Sequence, residues 1–351
     1  MKSKPKKILI SYDDFPPIAL YLAKEFEVHS VETNVFITNK TEHWLNHHLF
    51  RKINKFARTF RLVSKGADLF AWSSFSYTKY LKNEFAKRIK QFKPDLIFCI
   101  HGQRFDVELL SQLDIPKIGW WVEPDPNKES LLRFARPFDL YLSYDSEVVD
   151  FLNTQGVQSE YQSHVSSPLQ FFPIPNTKKA VDILFFGNWS PWREEVLYAA
   201  LQITKNIALY GNSWKNKCKL FSKSQLIGIL KGKEILDTNL NKAINSSHIV
   251  LNAQRLRGLS SGLDTRFFDV LASGNLLVTD APKDLGRQFV DKQHLLVYRD
   301  INQLITILKE VLQENSNAQE ISRLGKEQVL KNYTYTKLAQ NVITRFNLQS
   351  G

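Results

Sequence analysis

The sequence has few of the features that define several large protein classes. Two cysteines among 351 residues exclude a disulfide framework and a four-cysteine zinc site, and unpaired Cys99 and Cys218 are typical of a reducing cytoplasm. Fourteen glycines and thirteen prolines exclude collagen-like and low-complexity chains. No apolar run approaches the roughly 20 residues of a transmembrane helix, and the run at 8–10 is too short for a signal-peptide core. We therefore expect a globular cytoplasmic protein.

Positive charge is present in excess, and it is concentrated in one segment. The chain has 47 Lys and Arg against 35 Asp and Glu, a net charge of +12. Residues 51–104 hold 13 basic and 3 acidic residues and so carry +10 of that charge. A local patch of this sign indicates a polyanion or an anionic membrane as a neighbour. The simplest alternative is a solvated helical face.

Short apolar runs alternate with helical periodicity, and the series begins twice. Residues 7–11, 96–100 and 118–122 predict buried strands of a first domain. A proline-containing linker at 166–180 precedes a second series that begins with the strand at 181–187. This alternation predicts an α/β chain of two facing, doubly wound Rossmann-like domains with parallel sheets. The predicted bounds are 1–170 and 178–333, followed by a helix at 334–351 that returns to the first domain.

The segment 258–280 carries the clearest binding signal. It joins a glycine-containing loop to the start of a helix, and the free N–H groups of a helix N-terminus bind phosphate. Arg266 lies in the first turn, where its guanidinium can hold two phosphate oxygens. Asp269 follows at i+3 on the same face, where a carboxylate can accept both hydroxyls of a ribose. Spacing alone leaves open an ion pair between Arg266 and Asp269.

These residues resemble a known family. Residues 266–274 read Arg-Phe-Phe-Asp-Val-Leu-Ala-Ser-Gly, which is similar to the Arg-x-Phe-Glu-Ala-x-Ala-x-Gly helix start of the CgeB-like branch of group 1 GT-B glycosyltransferases. The resemblance spans about 181–340 and extends loosely to 94–150. Asp269 replaces the Glu of the branch, and Ser261 stands where the group 1 pattern has a second Glu. The other residues that carry the resemblance are Gly187-Asn188, Arg193, 211–214 and 249–252.

The resemblance implies that the second domain binds a nucleotide-sugar donor. Arg193 and Arg266 would neutralise the diphosphate, and Asp269 would accept the ribose hydroxyls. Lys233 and Glu234 would meet the base, with a solvated loop as the alternative there. The implied donor-binding residues are Gly187, Asn188, Arg193, Gly211, Trp214, Lys233, Glu234, Asn252, Arg266 and Asp269.

The sequence favours charge stabilisation without a metal ion. Negative charge builds on the leaving nucleoside diphosphate, and preorganised cations stabilise it; glycosyltransferases of this fold generally use such groups. No Asp-x-Asp motif occurs, and the eight histidines are scattered, with His47 and His48 adjacent rather than at i,i+4. We therefore expect no metal site and no cofactor.

Acidic residues follow a predicted strand of the first domain. Glu123 and Asp125 come after 118–122, in the order Trp-Trp-Val-Glu-Pro-Asp-Pro, where CgeB-like relatives often carry Trp-x-x-Asp-Asp-Pro. A carboxylate there, with its pKa raised by burial, could take the proton of an acceptor hydroxyl. The alternative is a turn whose acids cap a helix that begins near Asn127. Further catalytic candidates follow neighbouring strands and are His101, Asp13 and Asp14.

Residues 49–63 show helical periodicity with two different faces. An anionic membrane presenting a lipid-linked acceptor, a nucleic acid or simple burial of the apolar face in the core would each fit this pattern. The apolar face holds Leu49, Phe50, Ile53, Phe56, Ala57, Phe60 and Val63. The predicted acceptor or membrane patch is Arg51, Lys52, Lys55, Arg58 and Arg61.

The patterns and the resemblance together predict transfer of a sugar from a nucleotide diphosphate-sugar to an acceptor hydroxyl. UDP-sugars are favoured, because uridine is the commonest base in this fold. The expected setting is bacterial envelope or surface polysaccharide assembly, in the cytoplasm or at the inner face of the membrane. The expected partners are the donor, a lipid-linked or polysaccharide acceptor and an anionic membrane surface. The alternatives are glucosyl transfer to modified DNA bases, sugar-nucleotide epimerisation and non-catalytic nucleotide or sugar binding.

Overall fold

The chain forms two compact units. The computed structural model describes residues 5–64, 66–105, 107–124, 127–255, 257–313 and 317–349. Unit 1 comprises Met1–Ser143, Val148–Gln162 and Leu338–Gly351, and unit 2 comprises Tyr144–Glu147 and Ser163–Lys337. Residues 163–170, which the sequence assigns to the first domain, therefore lie in unit 2.

Unit 1 contains a six-stranded sheet in which all neighbouring strands are parallel, in the order β2-β1-β3-β4-β5-β6. Every residue of β3, β4 and β5 is buried, as expected for parallel strands covered on both faces. The strands are β1 (Lys7–Tyr12), β2 (Glu32–Ile37), β3 (Leu96–Ile100), β4 (Lys117–Trp121), β5 (Leu140–Ser143) and β6 (Ser159–Tyr161). The helices are α1 (Ile18–Val28), α2 (Arg51–Thr59), α3 (Tyr77–Phe92), α4 (Val107–Ser111), α5 (Lys128–Ala135) and α6 (Ser146–Thr154).

Unit 2 repeats this architecture with the strand order β12-β11-β10-β7-β8-β9, again with parallel pairs throughout. Its strands are β7 (Val181–Phe186), β8 (Ile207–Tyr210), β9 (Leu230–Gly232), β10 (Ser247–Leu251), β11 (Leu276–Asp280) and β12 (Leu296–Tyr298). Its helices are α7 (Pro191–Leu201), α8 (Trp214–Lys217), α9 (Lys223–Ile229), α10 (Asp237–Asn245), α11 (Thr265–Ala272), α12 (Ile301–Leu312) and α13 (Ala318–Asn332). Apolar side chains pack on both faces of this sheet. The predicted α/β class is confirmed.

The last helix, α14 (Tyr335–Gln349), belongs to unit 1 from Leu338 onward. Leu338, Ala339 and Val342 are fully buried. The Nε of Arg345 donates to Oε2 of Glu160 in β6 at 2.7 Å. Burial and this ion pair attach the helix to the edge of the unit 1 sheet.

The helix predicted at 49–63 forms with a different orientation. A π-helical turn at Asn46–Phe50 leads into α2. Asn54 and Ala57 are buried, whereas Phe56 and Phe60 are exposed. The interpretation that the whole apolar face is buried in the core is therefore wrong. The inner side of the helix carries a polar residue, because Asn54 bonds to the following loop through Asp68 and the N–H of Leu69.

Candidate active site

The carboxyl ends of the unit 2 strands form the first candidate site. Strand order reverses between β7 and β10, and ligands of doubly wound sheets bind beyond the strand ends at such a point. The β7 strand ends at Phe186 and is followed by Gly187, and β10 ends at Leu251 and is followed by Asn252. Residues implied by the resemblance therefore lie at both strand ends.

Arg193 bridges these two strand ends. Helix α7 begins at Pro191 after the N-cap Ser190, which places Arg193 in the first turn with only 2% of its surface exposed. Its Nε donates to the carbonyl of Ala253 at 2.8 Å, and its Nη1 donates to the carbonyl of Asn188 at 2.9 Å. Burial, reinforced by the charge of Arg266, lowers its pKa to about 9. The guanidinium remains a cation at neutral pH, and an anion would stabilise it further.

Arg266 approaches the same place from α11. Its Nε donates to the carbonyl of Phe186 at 2.8 Å. Its Nη1 donates to Asp264, whose carboxylate also caps the helix by accepting from the Arg266 N–H at 3.0 Å. The alternative of an Arg266–Asp269 ion pair is wrong, because Asp264 takes that place. A guanidinium held by two fixed acceptors is preorganised toward a ligand.

Gly187 lies between the two guanidinium groups. A methyl group on its Cα would lie 2.8 Å from Nη1 of Arg193 and 3.1 Å from Nη2 of Arg266. Both cations therefore reach one point just beyond β7. This convergence of charge at a strand-order reversal is the geometry expected of a diphosphate site.

A second turn supports Gly187 from β8. A methyl group on Gly211 would lie 1.9 Å from the Gly187 carbonyl, so only glycine permits this approach of the two backbones. The Asn188 side chain accepts from the Asn212 N–H at 3.0 Å. Trp214 is fully buried and donates its indole N–H to the Gly187 carbonyl at 2.9 Å. The expectation that Trp214 contacts the donor is therefore corrected: it holds the turn from within the core.

Asn252 is also buried and does not present its side chain at the surface for contact with a donor. Its Nδ2 donates to Oγ1 of Thr279 at 3.3 Å, and its carbonyl accepts from the Tyr298 hydroxyl at 2.8 Å. Its Oδ1 is buried without a hydrogen-bond partner among the described residues. Asn252 therefore positions the loop that carries Ala253, the acceptor for Arg193.

Asp269 is partly buried and accepts from Oγ of Ser166 at 2.8 Å. Loss of hydration raises the pKa of its carboxyl to about 7, although the Ser166 hydrogen bond opposes that shift. The carboxyl thus titrates near neutrality, where it can donate or accept a hydrogen bond. Lys233 and Glu234 are exposed and follow β9 at the same end of the sheet.

The sequence reasoning missed Asp264, Arg255 and Arg257. Asp264 anchors Arg266, and the charge of Arg255 contributes to lowering the pKa of Arg193. The guanidinium of Arg257 stacks over the Trp192 ring at 3.9 Å. A usable signal was present, since Arg255 and Arg257 lie within six residues of the end of β10, and β10 borders the reversal of strand order.

A second candidate site lies at the corresponding point of unit 1, between β1 and β3. Asp13 follows β1 and pairs with Arg104, and it also accepts from the Thr38 hydroxyl. Tyr77 donates to the Thr38 carbonyl at 3.1 Å and lies 3.5 Å from Nη1 of Arg104. The sequence named Asp13 as a candidate, and the structure makes it the centre of this network.

His101 follows β3 beside this network in a left-handed conformation, with φ of 67°. Such a conformation is strained for a non-glycine residue. Burial lowers its pKa to about 4, so the imidazole is neutral near pH 7. Its Nε2 is buried and has no hydrogen-bond partner among the described residues, and its ring lies 5.4 Å from that of Tyr12. A neutral, unpartnered imidazole nitrogen can exchange a proton with a ligand.

Glu123 lies close enough to Tyr12 to affect its pKa. Burial is the largest cause that raises the Tyr12 pKa, and the negative charge of Glu123 is the second. Glu123 itself is exposed, so the expectation that it is buried is wrong. Asp125 lies outside the described residues. Helix α5 is capped by Asn127, which accepts from the Ser130 N–H at 3.0 Å, so Glu123 is not the cap.

Two open cavities flank Arg104. One has a volume of about 480 Å³ and is lined on one side by Arg51, Asn54 and Arg58 of α2. The other has a volume of about 530 Å³ and is lined by residues that include Tyr77 and Arg133. Within the described residues, no cluster of three or more His, Cys, Asp or Glu side chains could hold a metal ion.

The predicted basic patch divides into two groups. Arg58 donates twice to the Ala67 carbonyl, at 3.0 and 2.6 Å, and Arg51 lies 3.7 Å from Glu42. These two arginines therefore turn toward the cavity. All five residues are exposed, but Lys52, Lys55 and Arg61 are not among the residues that line either cavity.

Comparison with known proteins finds a family similarity in the second half of the chain. Residues 193–344 match the family model described as glycosyl transferase-like. This match covers less than half of the chain. It begins at Arg193 and includes Arg266 and Asp269. No curated protein matches the sequence.

Solved structures match the whole chain at low sequence identity. Sucrose-phosphate synthase from Thermosynechococcus elongatus has a TM-score of 0.68 at 11% identity, over 99% of this chain and 100% of that one. Anabaena HepE in complex with UDP and glucose has a TM-score of 0.64 at 11% identity, over 98% and 100%. A glycosyltransferase from Rickettsia africae has a TM-score of 0.63 at 11% identity, over 98% of each chain. The chain has the GT-B fold.

Proposed function

We propose that the protein is a glycosyltransferase that uses a UDP-sugar, binding the donor on unit 2 and the acceptor on unit 1. The observation that carries the proposal is the convergence of Arg193 and Arg266 on Gly187, beyond the carboxyl end of β7. The glycosyl transferase-like match over 193–344 supports it. The neighbour from Anabaena was solved with UDP and glucose, which supports uridine as the base.

In the proposed reaction, the acceptor oxygen forms a bond to the anomeric carbon while the bond from that carbon to the diphosphate breaks. The nucleoside diphosphate leaves with the electron pair. Arg193 and Arg266 offset its charge as it develops. Asp269 binds the ribose hydroxyls. Its side chain is shorter than that of glutamate, and Ser166, which donates a hydrogen bond to Asp269, assists it in this contact.

The acceptor proton passes to a group on unit 1. Nε2 of His101 has no hydrogen-bond partner among the described residues and is open to accept that proton, although burial lowers the pKa of His101 to about 4 and makes it a weak base. Glu123 and Asp125 are the carboxylate candidates for the same role. The chemistry requires no metal, because the two arginines supply the positive charge.

The acceptor is proposed to be a lipid-linked or polysaccharide intermediate of envelope or surface glycoconjugate assembly. Polar and cationic side chains line the cavities beside Arg104, which suits a hydroxylated acceptor. The helix start at 266–274 supports placing the protein in the CgeB-like branch.

A thermal-shift panel of nucleoside diphosphates and their sugars tests this proposal. A ligand at 100 times its dissociation constant adds about 2.7 kcal/mol to the stability of the unit that binds it. We expect UDP and a UDP-sugar to stabilise the wild type and to lose this effect in Arg266→Ala, each measured against its own unliganded melting temperature. Arg323→Ala is the matched control, because the pairs that Arg323 makes within the described residues are with Glu320 and Glu327 on the exposed side of α13.

Product analysis with the stabilising donor then separates the alternatives. UDP release that depends on an envelope extract supports transfer to an acceptor. A change of sugar configuration without UDP release identifies an epimerase, and binding without turnover identifies a non-catalytic protein. Transfer that occurs only onto modified DNA identifies the DNA-base alternative. Absence of any nucleotide effect, or an undiminished effect in Arg266→Ala, overturns the donor-site assignment.

A further inference from the structure

The segment between residues 44 and 75 of unit 1 exposes an unusual amount of apolar surface. It contains nine of the 21 exposed large hydrophobic side chains of the described chain, in less than a tenth of its length. Phe56 is 58% exposed, Phe60 is 62% exposed and Trp72 is 76% exposed. We call this set the apolar patch: Trp44, Leu49, Ile53, Phe56, Phe60, Leu62, Leu69, Trp72 and Phe75.

Four members of the apolar patch form one stripe along α2 and the turn before it. Leu49, Ile53, Phe56 and Phe60 are spaced at i, i+4, i+7 and i+11, which is the repeat of a single helix face. The rings of Phe56 and Phe60 lie 4.4 Å apart, so these two side chains contact each other at the surface.

Hydrogen bonds from other residues of α2 keep this stripe exposed to solvent. On the inner side of α2, Nδ2 of Asn54 donates to Asp68 at 2.6 Å, and its Oδ1 accepts from the Leu69 N–H at 3.0 Å. Arg58 is tied to the Ala67 carbonyl. A rotation that buried Phe56 would expose Ala57 and break these bonds. The exposed stripe is therefore a stable feature of the folded unit, and exposed patches of this kind mark interaction sites.

Charge and side-chain chemistry identify the partner. Lys52 and Lys55 are exposed on the same helix, and residues 51–104 carry +10. An apolar helix face beside exposed lysines, with tryptophans nearby, is the composition of a helix that lies in a membrane interface. Nucleic acid would gain little from Leu49, Ile53, Leu62 and Leu69, since it is bound by cations and stacking rings. A second copy of the chain would bring two segments of +10 together.

We propose that the apolar patch docks unit 1 onto an anionic lipid bilayer, with α2 lying parallel to the surface. Leu49, Ile53, Phe56 and Phe60 enter the headgroup region, while Lys52 and Lys55 contact anionic headgroups. Arg51 and Arg58 turn toward the cavity and do not take part in docking. None of the helices in the described part of the chain has the length and apolar character needed to cross a bilayer. The proposal rests on unit 1 alone and not on the donor assignment.

Vesicle co-sedimentation of the full chain tests the docking surface. We expect binding to phosphatidylcholine vesicles that contain phosphatidylglycerol and little binding to phosphatidylcholine alone. Phe56→Ser combined with Phe60→Ser should weaken partitioning at least about tenfold, because the buried apolar area is lost. The matched control is Leu169→Ser with Ile227→Ser, which removes two apolar side chains of unit 2 that are more exposed than Phe56 and Phe60.

A charge series separates the two groups of cations. Lys52→Glu with Lys55→Glu should weaken binding and reduce its salt dependence, whereas Arg58→Gln should leave binding unchanged. Lys178→Glu with Lys205→Glu gives the same change of net charge at exposed positions of unit 2 and should leave vesicle binding near the wild-type level. If both pairs of Lys→Glu substitutions weaken vesicle binding equally, the attraction depends on net charge alone, and the proposal is overturned.

The remaining outcomes are equally decisive. If the variant with Phe56→Ser and Phe60→Ser sediments with the vesicles as strongly as the wild type, the proposal is overturned. A wild-type dimer that the double Phe variant converts to a monomer assigns the patch to a second copy instead. Duplex binding without vesicle binding assigns it to nucleic acid. Nucleotide binding is measured on the same preparations, so that a failure of the membrane-docking proposal can be told apart from a failure of the proposed function.

Discussion

Arg193 and Arg266 are anchored by separate backbone carbonyls and reach the same glycine. Arg193 is held by Ala253 and Asn188, and Arg266 by Phe186. Residues 73 positions apart in the sequence thus bring two cations to one side of Gly187, within van der Waals reach of a methyl group placed there. Like charges at short range repel, and the lowered pKa of Arg193 partly reflects that repulsion. Two cations that repel each other in this way are expected where a bound anion offsets their charge.

Gly187→Ala should weaken nucleotide binding while leaving the fold intact. The added methyl group would meet the ends of two arginine side chains, which can move, so the guanidinium groups shift and the backbone does not. We expect the affinity for UDP, measured by titration calorimetry, to fall at least about tenfold, or 1.4 kcal/mol.

The control for this variant is Gly228→Ala. Gly228 lies in α9, and within the described residues a methyl group placed there would have no atom within 4 Å other than those of its chain neighbours and its own helix backbone. Alanine there should stabilise the helix slightly and leave UDP affinity unchanged. Wild-type affinity in Gly187→Ala would contradict the assignment of Gly187 to the diphosphate site.

Trp214→Phe should weaken both unit 2 and its donor site. The variant removes the indole N–H that donates to the Gly187 carbonyl and leaves a small void in the core. The free energy of unfolding in urea should fall by about 2–4 kcal/mol, and UDP affinity should decrease because the Gly187 turn loses its support. Trp44→Phe, at an exposed tryptophan, should change neither. A stability loss without any loss of affinity would show that the turn does not depend on Trp214.

Asp269→Asn should change how stability depends on pH. The folded-state pKa of Asp269 is about 7, above the ordinary value of 3.8, so the folded protein binds the proton more tightly. The stability that this group contributes is complete below about pH 4 and is lost as pH rises through about 7. Asp269→Asn cannot ionise and should flatten this decline, with a gain of about 1–2 kcal/mol near pH 8 relative to wild type. Parallel stability curves for the two proteins would contradict the assigned burial.

Fully buried parallel strands were predictable from the sequence alone. Residues 96–100 coincide with β3, and the strand expected at 118–122 is β4, at Lys117–Trp121. Such elements are defined by local patterns, since a strand covered on both faces is a continuous apolar run. The motif proposed to bind the donor could be recognised for the same reason, because Arg266 and Asp269 lie within one helical turn.

Features that depend on distant contacts were not predictable. The orientation of α2 is decided by Asn54, whose partners lie 14 and 15 residues away, so the sequence left open whether the apolar face is buried or exposed. Asp13 meets Arg104 across 91 residues, a pairing that no local pattern encodes. Trp214 belongs to a motif that suggests a ligand contact, yet its burial follows only from the packing of the whole sheet.

The Asp13–Arg104 pair should be required for turnover but not for donor binding. Asp13→Asn removes the charge that Arg104 and Thr38 share, so unit 1 should lose about 1–3 kcal/mol of stability. UDP release from a UDP-sugar in the presence of envelope extract should fall at least about tenfold, because acceptor contacts near Arg104 and His101 are disturbed. UDP affinity should not change, since the donor residues lie on unit 2. The neighbouring variant Asp14→Asn is the control: Asp14 is partly exposed and pairs with Lys40 at 2.8 Å. An equal loss of turnover in both variants would mean that surface charge, and not the Asp13 network, governs the reaction.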